Sequence, residues 1–140
     1  MPELNIVEKV IALEGVDLLK NLTPDQLSRI ASIAREVRHP AGSVILDPNR
    51  PLDALYVVVD GAVELSQNGD TLHVARQNDV LGAWGLFDDA PMPVTARTTD
   101  DTRLLRISRD EFYDLLSDNV EITANIFSTL VKRFRKLVEQ

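Results

Sequence analysis

At the start of the chain the apolar residues recur at helical spacing. Ile6, Val7, Val10 and Ile11 cluster between Asn5 and Ala12 before Gly15 interrupts the pattern, which predicts a short first helix. Thr23-Pro24-Asp25-Gln26 is a strong helix start: Thr23 can cap, Pro24 suits the first helical position, Asp25 favours the helix dipole and Gln26 can close a capping box. Leu27, Ile30, Ile33, Ala34 and Val37 then mark one apolar face. A second helix is therefore expected from about Pro24 to Glu36.

From residue 37 to 108 the period changes. Short β segments are expected at Ser43 to Leu46, Ala54 to Val59, Ala62 to Ser66, Thr71 to Ala75, Val94 to Thr98 and Arg103 to Ile107. Turn residues separate them: Gly42, Pro48-Asn49, Gly61, Asn68-Gly69, Asn78-Asp79 and Asp100-Asp101. Asn68-Gly69 is the clearest, because both residues tolerate the positive φ of a two-residue hairpin. No helical pattern lies between the strands, so the spacing points to a sandwich or roll and not to a parallel sheet.

Helical patterning returns at Ser108-Arg109-Asp110-Glu111, a second capping box that opens a short helix with Phe112, Leu115 and Leu116 on one face. A longer helix is expected from about Asn119, with Glu121 in its first turn and Lys132, Arg133, Arg135 and Lys136 towards its end. Its stripe of Ile122, Ile126, Phe127, Leu130, Val131, Phe134, Leu137 and Val138 is too wide to leave solvated. Phe127, Leu130, Phe134 and Leu137 alternate three and four residues apart, as a helix-helix seam does, so packing within the chain and pairing in a homodimer are both open.

Composition limits the function classes. A chain of 140 residues with 44% hydrophobic and 26% charged side chains fits one folded domain. A formal charge of -7 repels phosphodiester backbones, so no nucleic-acid partner is expected. The absence of cysteine excludes disulfides and thiolate-held metals and fits a cytoplasmic location. Met1-Pro2-Glu3-Leu4-Asn5 does not start a signal peptide, and no apolar run approaches a membrane span, so direct membrane insertion is not expected.

The order of elements and four separated blocks resemble the cyclic-nucleotide-binding domain family, which includes catabolite activator proteins and kinase regulatory subunits. The blocks are Pro40-Ala41-Gly42-Ser43-Val44-Ile45, Asp53 to Gly61 (DALYVVVDG), Leu81-Gly82-Ala83-Trp84-Gly85-Leu86-Phe87, and Leu104 to Phe112 (LLRISRDEF). The resemblance implies a mainly β fold with flanking helices: an antiparallel β-roll of jelly-roll, cupin-like form with N-terminal helices and a C-terminal helix pair. It also implies a single domain over 1–140, made of N-terminal helices (1–36), the β-roll (37–108) and C-terminal helices (109–140).

In that family the segment matching Leu81 to Ala96 is the phosphate-binding cassette. A phosphodiester anion needs backbone amides at a helix start, an arginine for a charge-assisted fork and an acceptor for the ribose hydroxyl. Family glutamate and arginine fill the last two roles. On this sequence the cassette positions are Leu81, Gly82, Ala83, Trp84, Gly85, Leu86, Met92, Pro93 and Val94. Gly82 keeps the glycine, but Ala83 stands in place of the glutamate and Met92 in place of the arginine. Pro93 further removes an amide donor. Losing both polar anchors weakens binding by roughly two to four decades. Arg97 lies at an odd offset that turns it to the opposite face of a continuous strand, and Arg76 precedes the cassette in another strand.

Other constellations carry less chemistry. Trp84 and Met92 either line an apolar ligand pocket or fill the vacated space as core. His39 and His73 are too few for a cupin-type metal cluster, and Asp88-Asp89 and Asp100-Asp101 read as turns. No nucleophile-base pair or glycine-rich nucleotide loop is visible, so no catalytic residue, metal or cofactor is expected beyond a doubtful cyclic nucleotide. The expectation is a cytoplasmic regulatory or sensor module that does not hold cAMP or cGMP by the usual contacts. It would sense another ligand or act on an unknown protein partner or parent chain. The alternative is a genuine cyclic-nucleotide receptor with variant contacts.

Overall fold

The computed structural model describes residues 3–83 and 93–139. The chain forms two compact units: Met1–Ile33 together with Asp110–Gln140, and Ala34–Arg109.

In the helical unit, α1 (Ile6–Glu14) starts at a capping box that pairs Asn5 with Glu8. The Glu8 amide donates to Asn5 Oδ1 at 2.8 Å and the Asn5 amide donates to Glu8 Oε1 at 3.1 Å. A 3-10 turn at Asp17–Leu19 leads to α2 (Pro24–Ile33). There the box read from the sequence is present: the Gln26 amide donates to Thr23 Oγ1 (3.2 Å) and the Thr23 amide to Gln26 Oε1 (3.0 Å). The C-terminal helices are α3 (Arg109–Asp118) and α4 (Val120–Val138), the latter with Asn119 at its N-cap.

Helix α4 buries Ile122, Ile126 and Thr129. The Thr129 hydroxyl accepts from Asn21 Nδ2 at 2.8 Å and donates to the Asn125 carbonyl at 3.2 Å, while Asn125 Nδ2 reaches Gln26 Oε1 at 3.0 Å. A buried hydroxyl with both roles satisfied fixes the register of α4 against α2 and the 3-10 turn. Phe127, Leu130, Phe134 and Leu137 are all exposed. The stripe therefore divides: its N-terminal part packs within the unit and the four seam residues do not.

Among the described residues the β unit contains eight antiparallel strands in two four-stranded sheets. In chain order they are β1 (Ala34–His39), β2 (Val44–Leu46), β3 (Ala54–Asp60), β4 (Val63–Gln67), β5 (Asp70–Ala75), β6 (Val80–Leu81), β7 (Thr95–Thr98) and β8 (Thr102–Ser108). One sheet has the order β1-β8-β3-β6 and the other β2-β7-β4-β5. Leu46, Val63, Ala75 and Ala96 from one sheet meet Val58, Leu81 and Leu104 from the other in a single buried cluster. The architecture is the mainly β roll with flanking helices that the pattern implies.

One boundary differs from the sequence reading. The second helix ends at Ile33, not Glu36, and Ala34–Glu36 belong to β1. Ala34 and Val37 satisfy the helical period, but Ala34–His39 pairs with β8 along its whole length, from Ala34 opposite Ile107 to His39 opposite Thr102. That ladder ties all six residues to β8 and sets Val37 beside Leu104, so a distant partner overrides the local pattern. Asn68-Gly69 makes the β4–β5 hairpin, with φ of 53° and 85°.

Candidate ligand-binding site

Strands β3 and β8 pair with Val58 opposite Leu104 and Tyr56 opposite Arg106. Successive residues on one face lie two positions apart, so Tyr56 and Arg106 follow the buried pair on the side that faces the other sheet. There the packed cluster gives way to a cavity of about 340 Å³. Among the described residues its walls are Ile45 and Leu46 of β2, the β2–β3 connection, Tyr56 in β3 and Val94 just before β7. This volume lies within the range of small-molecule sites.

Polar groups stand both behind the cavity wall and in it. Arg106 donates to the Tyr56 hydroxyl and, at 3.3 Å, to Asp53 Oδ1. The hydrogen bond to Tyr56 is the main cause that raises its pKa above the ordinary arginine value; partial burial opposes the shift and Asp53 adds to it. Arg106 is therefore a fixed cation behind Tyr56. Arg50, Asp47 and Asp53 line the cavity from the β2–β3 connection. Asp47 organises that turn: its Oδ1 accepts the Asn49 amide at 2.9 Å and its carbonyl accepts the Arg50 amide at 3.0 Å.

The cassette begins at β6, where Leu81 pairs with Tyr56 and is buried in the core cluster. Gly82 follows with φ of +83°, and a Cβ placed on it would meet the Ala54 carbonyl oxygen at 2.9 Å. Only glycine accommodates both the left-handed backbone and the close approach to β3. Ala83 is half-buried, Pro93 is exposed, and Val94 is buried and lines the cavity. Trp84, Gly85, Leu86 and Met92 lie outside the described residues, as do Asp88 and Asp89.

Neither alternative arginine reaches the cavity. Arg97 pairs with Val44 and Glu64, beside the inward Ala96, and its guanidinium donates to the Gly42 carbonyl at 3.1 Å. Arg76 is exposed at a turn that its amide closes onto Asp79 Oδ2 at 2.9 Å. His73 is exposed, with Nε2 3.6 Å from Asp79. Asp101 accepts the Ala41 amide at 3.0 Å, and the Asp100 carbonyl accepts the Thr102 hydroxyl at 2.8 Å, both in keeping with a turn. Among the described residues, no three His, Cys, Asp or Glu side chains are grouped to hold a metal, and no helix is long and apolar enough to cross a membrane.

The sequence reading missed Arg50, Asp53, Tyr56 and Arg106 as site residues. For Arg106 the signal was available: it follows Leu104 by two in the same strand, and that parity turns a cation towards the roll interior. Arg50, between Pro48-Asn49 and Pro51, looks like any loop cation.

The family profile described as "Cyclic nucleotide-binding domain" matches residues 36–119, covering most of the roll, the cassette and α3. The chain belongs to the cyclic nucleotide-binding domain family. The cAMP-dependent protein kinase regulatory subunit of Aspergillus fumigatus is 32% identical over 106 residues, covering 74% of this chain and 26% of that protein. The CRP-like cAMP-activated global transcriptional regulator of Mycobacterium tuberculosis is 22% identical over 135 residues, covering 93% of this chain and 59% of the regulator. The chain thus spans about a quarter of the kinase subunit and less than two-thirds of the regulator. The crystal structure of the N-terminal domain of a transcriptional regulator from Streptomyces coelicolor superposes with a TM-score of 0.84 at 24% identity, covering 90% of this chain and 94% of that one. At that identity the likeness speaks for the fold.

Proposed function

We propose that this chain is a non-catalytic, ligand-sensing regulatory domain of the cyclic nucleotide-binding family that does not hold cAMP or cGMP through the usual glutamate and arginine. The observation that carries the reading is the state of the cassette. Gly82 retains the positive φ and the close approach to Ala54, so the entry to the cassette is kept. Ala83 and Met92 stand where the family places its two charged anchors. The cavity beside Leu52, Tyr56 and Val94 supports a small-molecule sensor over a packed interaction element, since a site without a ligand is ordinarily filled by side chains.

The whole chain acts as one module in this reading, working in the cytoplasm within or beside a larger regulated protein. The exposed seam of Phe127, Leu130, Phe134 and Leu137 supports pairing with a second copy through α4. The cAMP-named relatives favour the second reading, a true cyclic-nucleotide receptor with variant contacts.

Restoring the anchors tests the leading reading. The double substitution Ala83→Glu with Met92→Arg is expected to strengthen cyclic AMP binding by roughly two to four decades. No gain in affinity would contradict the account of what the cassette lacks.

A further inference from the structure

Among the described residues that line the cavity, Arg50 is the one cation. Arg50 lines the wall, is exposed, and has no hydrogen-bond or ion-pair partner for its guanidinium among the described residues. Arg103, Arg106 and Arg97 are engaged by contrast: Arg103 with Asp60, Arg106 with Tyr56 and Asp53, Arg97 with the Gly42 carbonyl. The backbone beneath Arg50 is nonetheless held, because the Asp47 turn bonds to two successive amides and Pro51 restricts the residue before it, Arg50 itself. A free guanidinium on a fixed stem presents a planar fork to a phosphate or carboxylate oxygen.

The rest of the lining limits what that anion can be. Leu46, Leu52 and Val94 make an apolar wall, so part of the ligand must be apolar. Asp47 and Asp53 border the same cavity, and Arg106 already engages one Asp53 oxygen. Two carboxylates near one free cation disfavour a ligand with a second negative charge.

Building on the ligand-sensing reading above, we infer that the cavity takes a compact monoanion with an apolar body, its charged group held by Arg50. Arg50 then replaces the missing cassette arginine from a different loop. The same fork serves a phosphodiester or a carboxylate, and the two are separated by experiment.

The test is a titration of the 15N-labelled chain at pH 8, followed by amide shifts, with three probes. Diphenyl phosphate is a monoanionic phosphodiester, diphenylacetate a monoanionic carboxylate and phenyl phosphate a dianion. At least one monoanion should give saturable shifts localised to Leu52, Tyr56 and Val94; the tighter of the two identifies the anion, and phenyl phosphate should bind more weakly than it. Arg50→Gln should weaken the tighter probe about tenfold or more, leaving the remaining amides in place, while the control Arg97→Gln should not change it. Absence of saturable shifts with every probe would overturn this assignment, while the ligand-sensing reading stands or falls by the anchor-restoring double substitution. Saturable binding that Arg50→Gln leaves unchanged overturns the role of Arg50 alone, and tighter binding of the dianion overturns the charge selection.

Discussion

Gly82 stands against Ala54 so closely that a Cβ on the glycine would come within 2.9 Å of the alanine carbonyl oxygen. Backbone cannot yield as the end of a side chain can, and the φ of +83° adds its own penalty for any other residue. Gly82→Ala is expected to destabilise the roll by about 2 kcal/mol or more. Urea unfolding followed by circular dichroism checks this, and an unchanged midpoint would contradict the contact.

A second glycine comparison separates crowding from backbone conformation. A Cβ at Gly61 (φ +99°) would meet Thr102 Oγ1 at 2.5 Å and the Asp101 carbonyl at 2.7 Å, whereas one at Gly69 (φ +85°) meets nothing within 4 Å. Gly69→Ala should cost only the conformational term, about 1 to 2 kcal/mol. Gly61→Ala should cost distinctly more, and equal losses in the two variants would mean that the Thr102 contact has no energetic weight.

The Arg106 clamp yields a prediction with a definite pH dependence. Its pKa is raised first by the Tyr56 hydrogen bond. A group raised in the folded state contributes stability that is complete below its unfolded value, which for arginine lies far above neutral pH. That contribution is lost only as pH rises past the folded value. The destabilisation caused by Arg106→Leu, about 1 to 2 kcal/mol, should therefore be constant from pH 6 to pH 9. Denaturant titrations of both proteins across that interval test it; a difference that shrinks steadily with rising pH would rule the clamp out as described.

The exposed seam on α4 predicts a concentration-dependent homodimer. Phe134 is 67% exposed and Leu137 72% exposed in the single chain, so neither contributes much to folding. Phe134→Glu should give a monomer with an unaltered thermal midpoint in dilute solution. Sedimentation equilibrium decides the matter: a wild-type chain that stays monomeric at high concentration would leave the seam without this role.

Much of the fold was legible because local chemistry and tertiary structure agree. Thr23 and Gln26 form the capping box that their spacing announces, and Asn68-Gly69 turns the hairpin its backbone preferences require. Legibility failed where a remote partner decided the outcome. Ala34 and Val37 fit a helix until β8, some 70 positions away, claims them, and β6 is only the pair Val80–Leu81, too short to show alternation. The site was half visible for a similar reason. Gly82 and Val94 follow from the resemblance, but Arg50 enters the cavity through the course of a loop, and Arg106 becomes a clamp only when register sets it opposite Tyr56.

The account turns on whether the two lost anchors have removed cyclic-nucleotide recognition by the usual contacts. Calorimetric titration of the unaltered chain with cyclic AMP and with cyclic GMP measures this directly. The account predicts that neither nucleotide binds more tightly than about 100 μM, near -5.5 kcal/mol. Micromolar or tighter binding of either one would contradict it and establish the chain as a nucleotide receptor with variant contacts.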